Sequence, residues 1–102
     1  MAYTYKTANG ELTTTRRLAY MPNAQAGIDI YSNGEKVLIS YHTEVLSLTP
    51  DNYLTCYGLF SMTTRRHISA FLKEFCPQIT FQTVKYCYDN NYSINIKTGE
   101  LK

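Results

Sequence analysis

At 102 residues the chain has the length of one domain with a single core, and it needs no metal or disulfide to hold that core together. With 44% hydrophobic and 18% charged residues it is no disordered or low-complexity chain, and a net charge of +2 with pI near 8.4 is too slight to announce nucleic-acid binding. Cys56, Cys76 and Cys87 lie 20 and 11 residues apart, which suggests neither a disulfide framework nor a zinc knuckle, and no apolar run approaches the roughly 20 residues that span a bilayer; a cytoplasmic protein with no membrane contact is the expectation.

Residues 1–12 read as a loose N-terminal segment and residues 13–102 as a single domain. Leu12 to Tyr20 offers an edge strand, because threonine suits a pleated surface. Asn33-Gly34 separates two β-prone runs and reads as a two-residue type I′ turn, since both central positions there need positive φ. That loop predicts Ile30 opposite Val37, Ile28 opposite Ile39 and Ala26 opposite Tyr41, with every apolar partner on one face. At Pro50-Asp51-Asn52 a three-residue loop predicts Leu48 opposite Leu54 and Leu46 opposite Cys56; Pro50, lacking an amide donor, belongs at a strand end.

After Phe60 the apolar period changes from two to 3.6. Ile68, Phe71, Leu72 and Phe75 form one stripe, with Arg66, Ser69, Lys73 and Glu74 between them. A helix over about 63–75 follows, with Thr63 as N-cap, Ser61 or Thr64 as alternates, and Cys76-Pro77 as the stop. The last hairpin is placed from Thr80 to Ile96 about Asp89-Asn90-Asn91, pairing Tyr88 with Tyr92, Tyr86 with Ile94 and Val84 with Ile96. The sum is an α+β fold: an antiparallel sheet of hairpins, about five to seven strands, with one amphipathic helix packed on one face. Strand order stays open, and an edge strand that pairs with a second copy keeps both monomer and homodimer in view.

The helix start carries the clearest electrostatic conflict. A helix N-terminus favours anions by about 0.3–1 kcal/mol, yet Arg65, Arg66 and His67 stand in this first turn. With Thr63 and Thr64 they make a candidate anion- or partner-binding site. The plain alternative is that both arginines reach back to acids such as Glu44 or lie along the surface as solvated stems. Arg16 and Arg17 would extend the patch if the N-terminal segment folds against the helix start; otherwise they belong to a solvated arm. Tyr31, Tyr57 and Tyr88 are candidates for exposed anchors, since tyrosine buries much area and keeps a polar tip. The thiols read as buried and inert, the eight acids are scattered, and the five glycines are isolated turn residues, so no enzyme activity, metal or cofactor is expected.

Three stretches carry a family resemblance: Ile39-Ser40-Tyr41-His42-Thr43-Glu44-Val45, then Tyr57-Gly58-Leu59-Phe60-Ser61, then Thr63-Thr64-Arg65-Arg66-His67-Ile68 with Phe71. Together with the tail Ile94 to Glu100 they resemble a group of short uncharacterised proteins from phages, prophages and mobile elements of intestinal bacteria, over roughly residues 26–100. That setting implies a non-enzymatic binding protein in the cytoplasm of a bacterial host, anti-defence or anti-CRISPR in kind, that occludes a host protein such as a defence nuclease. Direct nucleic-acid binding through the same arginines, or capture of a small anionic nucleotide at the helix start, are the alternatives.

Overall fold

The computed structural model describes residues 10–59 and 61–102. Of the segment expected to be loose, 1–9 lie outside the described residues, and Leu12 opens the first strand. In chain order the elements are β1 (Leu12–Arg16), β2 (Ala26–Tyr31), β3 (Lys36–Ser40), β4 (Thr43–Leu48), β5 (Tyr53–Cys56), α1 (Met62–Phe75), α2 (Phe81–Asp89) and β6 (Ile94–Asn95). The strands form one antiparallel meander in the order β1-β2-β3-β4-β5-β6. The α+β class stands, with two helices where one was expected. No helix among the described residues is long and apolar enough to cross a membrane.

One face of the sheet packs on the helices. Ile28, Leu38, Leu46, Leu48, Leu54 and Cys56 meet Ile68, Phe71 and Leu72 of α1 and Val84 and Cys87 of α2, all buried. The side chains needed for this sit two apart on the strands and three or four apart on α1, so both periods deliver one continuous apolar layer.

The β2–β3 turn is one residue longer than predicted, and the difference reorients a strand. The loop is Ser32-Asn33-Gly34: the Gly34 N–H donates to the Tyr31 carbonyl at 2.9 Å and the Tyr31 N–H to the Glu35 carbonyl at 3.0 Å. Only Gly34, at φ 93°, takes a left-handed conformation at this turn, and the Asn33 side chain accepts from the Glu35 N–H at 2.9 Å. One positive φ at a glycine is less costly than two. Ile28 therefore opposes Leu38 and Ile30 opposes Lys36. Val37 turns to the other face, where it forms a second small cluster with Tyr31 and Ile39. The β4–β5 turn is of the same three-residue kind, with Asn52 at φ 74°, and its register is the predicted one, Leu48 with Leu54 and Leu46 with Cys56.

Between β3 and β4 the chain reverses in two residues, Tyr41 and His42, at φ 51° and 69°, so that Ser40 pairs with Thr43. Tyr41 is thus a turn residue and not the strand partner of Ala26. Neither residue is the glycine or asparagine that such a turn prefers.

The predicted hairpin from Thr80 to Ile96 is corrected most. Residues 81–89 are helical, Thr80 caps them by accepting from the Thr83 N–H at 3.2 Å, and Val84 and Cys87 face the core. Asn90-Asn91, read as a hairpin turn, closes this helix instead. Asn91 is left-handed at φ 60°, the Tyr92 N–H returns to the Cys87 carbonyl at 2.8 Å and the Asn91 N–H to the Tyr88 carbonyl at 3.4 Å. This is a Schellman closure with asparagine in the glycine position.

Candidate functional site

The cap of α1 is Ser61, one of the predicted alternates, and not Thr63; its hydroxyl accepts from the Thr64 N–H at 3.2 Å. That places Thr64, His67, Ile68 and Phe71 on the inner side of the helix and Met62, Arg66, Ser69 and Lys73 on the outer side, since residues spaced i, i+4, i+7 and i+11 share a face.

His67 is buried, 1% exposed, so it is no surface ligand as predicted. Its Nδ1 lies 2.8 Å from the Ser40 hydroxyl, which lies 3.3 Å from the Thr64 hydroxyl, which lies 3.2 Å from that of Ser61. Burial holds the His67 pKa below the usual histidine value. The chain of hydroxyls satisfies polar groups that would otherwise be costly inside, and it pins the helix start to the end of β3. A serine and a histidine at hydrogen-bond distance resemble a nucleophile and its base, but both are closed off from solvent, so no substrate reaches them. The thiols are similar: all three are buried, and burial pushes Cys56 and Cys76 up to about 11. Among the described residues no group of three histidines, cysteines or acids could hold a metal ion.

The arginines separate. Arg65 lies over the Phe81 ring, 5.8 Å from its centroid, while Arg66 projects from the outer face. Neither has a carboxylate partner among the described residues, where the ion pairs are Arg16 with Glu74 and Lys85 with Asp89. Glu44, the acid considered for them, is buried within β4. Arg16 pairs with Glu74 and lies over Phe75 at 5.1 Å, and Glu74 also accepts from the Ala19 N–H at 3.0 Å. That brace stands at the far end of α1, nine residues beyond Arg65 or about 13 Å along the axis, so the four arginines make no common patch. Arg17 reaches the Pro22 carbonyl at 3.0 Å on the loop after β1.

Of the tyrosines singled out, Tyr31 is buried and Tyr57 is half-buried with its hydroxyl 2.8 Å from that of Ser47; Tyr88 is exposed at the end of α2. Two exposed tyrosines that touch α1 are ones that sequence reading passed over. Tyr41 rests on His67 with ring centroids 5.7 Å apart, Tyr20 lies under the Lys73 ammonium at 4.5 Å, and each is about half exposed. No sequence period places either of them there, because both sit in turns whose position depends on how the sheet meets the helix. The outcome is a surface with two cations that have no ion-pair partner among the described residues, Arg66 and Lys73, two helical turns or about 10 Å apart. Exposed Met62 stands at one end, and Tyr20 lies against Lys73 at the other.

No curated protein and no solved structure matches the chain. The model of a family of unknown function, DUF8033, matches residues 9–93, and the chain belongs to that family.

Proposed function

We propose that the chain is a non-enzymatic binding protein that occludes a host protein by laying the outer face of α1 on an acidic surface. The observation that carries this reading is the stripe of Met62, Arg66, Ser69 and Lys73. All four are exposed, and neither cation meets an acid among the described residues, although Glu74, next to Lys73 in the chain, is engaged by Arg16. Cations without a carboxylate partner among the described residues steer and orient an acidic partner, and Met62 with Tyr20 supplies the apolar anchor that charge alone does not. A bacterial defence nuclease is the target class that the resemblance of the Thr63-to-Phe71 stretch to phage and mobile-element proteins implies.

The test is capture from host-cell lysate by wild type and by the Arg66→Glu/Lys73→Glu double variant, followed by mass spectrometry and titration of the purified target. A host protein held by wild type, lost by the variant and released by salt is the expected result. Retention that ignores both charge reversals, or capture of no host protein, sinks the reading.

The exposed Tyr20 ring beside Lys73 favours one second reading, direct contact with nucleic acid, in which bases stack on aromatic rings. Its signature is affinity for single- or double-stranded probes that falls with salt at a logarithmic slope of about −0.7 to −0.9 per phosphate neutralised.

A further inference from the structure

On the sheet face turned away from the helices, a cavity of about 620 Å³ opens between the start of β2, the loop after β1 and the β3–β4 turn. The described residues give it Arg17, Gln25, Gly27, Asp29, Tyr41 and His42. Its size is that of a small-molecule site. Gly27 leaves the floor without a side chain, and a Cβ there would stand 3.1 Å from the Arg16 carbonyl, tighter than packing ordinarily allows.

The rim is built at a cost. Tyr41 and His42 both take left-handed backbone, at φ 51° and 69°, where asparagine and glycine would relieve the strain. What that turn gains is an aromatic ring and an imidazole at the mouth of the cavity, both exposed. Arg17 spends one guanidinium N–H on the Pro22 carbonyl and has no carboxylate partner among the described residues, which leaves donors for an anion. Asp29 accepts from the Thr15 hydroxyl at 2.8 Å and keeps acceptor capacity. A cation, an imidazole, a ring and a carboxylate around one cavity call for a ligand with an anionic group, a planar face and a hydrogen-bond donating edge.

We propose that this cavity binds one nucleotide unit, with its phosphate on Arg17 and His42, its base against Tyr41 and its amino edge toward Asp29. The site lies on the opposite side of the sheet from the cationic stripe of α1 and does not depend on it. The unit comes either from a free mononucleotide or from a single strand.

Guanosine and uridine monophosphates, inorganic phosphate and a short guanine-containing DNA strand are each titrated into the full-length protein, read by amide chemical shifts. Saturable shifts at Gln25, Asp29 and His42 with guanosine monophosphate, tighter than with uridine monophosphate, are expected; a strand that binds at least tenfold tighter identifies the strand as the source, and a strand no tighter identifies the free nucleotide. Arg17→Ala weakens binding at least tenfold, whereas the Arg66→Glu/Lys73→Glu variant leaves it unchanged. The Tyr41→Asn/His42→Gly variant supplies the preferred turn residues, so it melts higher than wild type and yet loses the nucleotide. Equal binding of inorganic phosphate, no shifts with any nucleotide, or undiminished binding by the Arg17→Ala variant overturns the proposal.

Discussion

On its inner face α1 carries Thr64, His67, Ile68, Phe71 and Leu72, every one buried, and on its outer face Met62, Arg66, Ser69 and Lys73, every one exposed. Each inner polar group is spent on the fold: His67 on Ser40, Thr64 on Ser40 and Ser61. The outer cations make no ion pair among the described residues, and Lys73 lies over the Tyr20 ring. The same contrast separates Arg16 from Arg66. Arg16 is locked to Glu74 and Phe75 and ties β1 to the helix end, so it belongs to the structure, while Arg66 is exposed with no ion pair among the described residues. Function on this helix is to be sought where a residue can be changed without loss of the fold.

The contrast predicts a graded series. Phe71→Ala, which empties a fully buried ring site against Phe75, should destabilise the protein by about 3–5 kcal/mol in urea unfolding. If that loss were under 1 kcal/mol, on the order of a surface change, the inner face would not be the core described. Ser40→Ala removes the partner of a buried imidazole and should cost about 1–3 kcal/mol. It should do so with no effect on partner capture by the outer face.

Acid probes the same network. The folded His67 pKa lies below the unfolded value of about 6.5, so the unfolded chain takes up the proton first. Stability should be full above that value and fall as pH drops from it through the folded pKa. Urea midpoints across this range should slope in wild type and flatten in His67→Gln; an unchanged slope would remove His67 as the cause.

Arg16→Ala should cost about 1 kcal/mol or less, because the guanidinium is partly exposed and part of its contribution is packing over Phe75. Arg66→Ala should shift stability by no more than about 0.5 kcal/mol while weakening capture of an acidic partner. A destabilisation by Arg66→Ala as large as that by Arg16→Ala would erase the distinction between braced and free arginines.

Residues 61–76 and 46–56 are legible from the sequence because each admits one period. The stripe at Ile68, Phe71, Leu72 and Phe75 cannot be laid on a strand, and the loop after Leu48 brings leucine to leucine in only one register. Residues 80–92 admit two: Val84, Tyr86 and Tyr88 alternate as a strand would, and Phe81, Val84 and Cys87 recur as a helix would. Packing on β5 decided, by burying Val84 and Cys87 together. Local signals agreed with that outcome only once the Thr80 cap and the Asn91 closure were seen in place.

Val-Leu-Ile in β3 likewise fits either register, because both faces of that strand bury apolar side chains, and the glycine conformation chose. The same division runs through the candidate sites. That Arg65 and Arg66 stand near the start of a helix follows from periodicity, whereas the Ser61 cap, which leaves Arg66 beyond the first turn, is seen only in the structure. That His67 turns inward, that Arg16 is held at the other end of α1, and that Tyr41 and His42 rim a cavity are decided by where the meander sets β3 against the helix. Those positions depend on contacts between residues far apart in the chain, and local propensity carries no record of them.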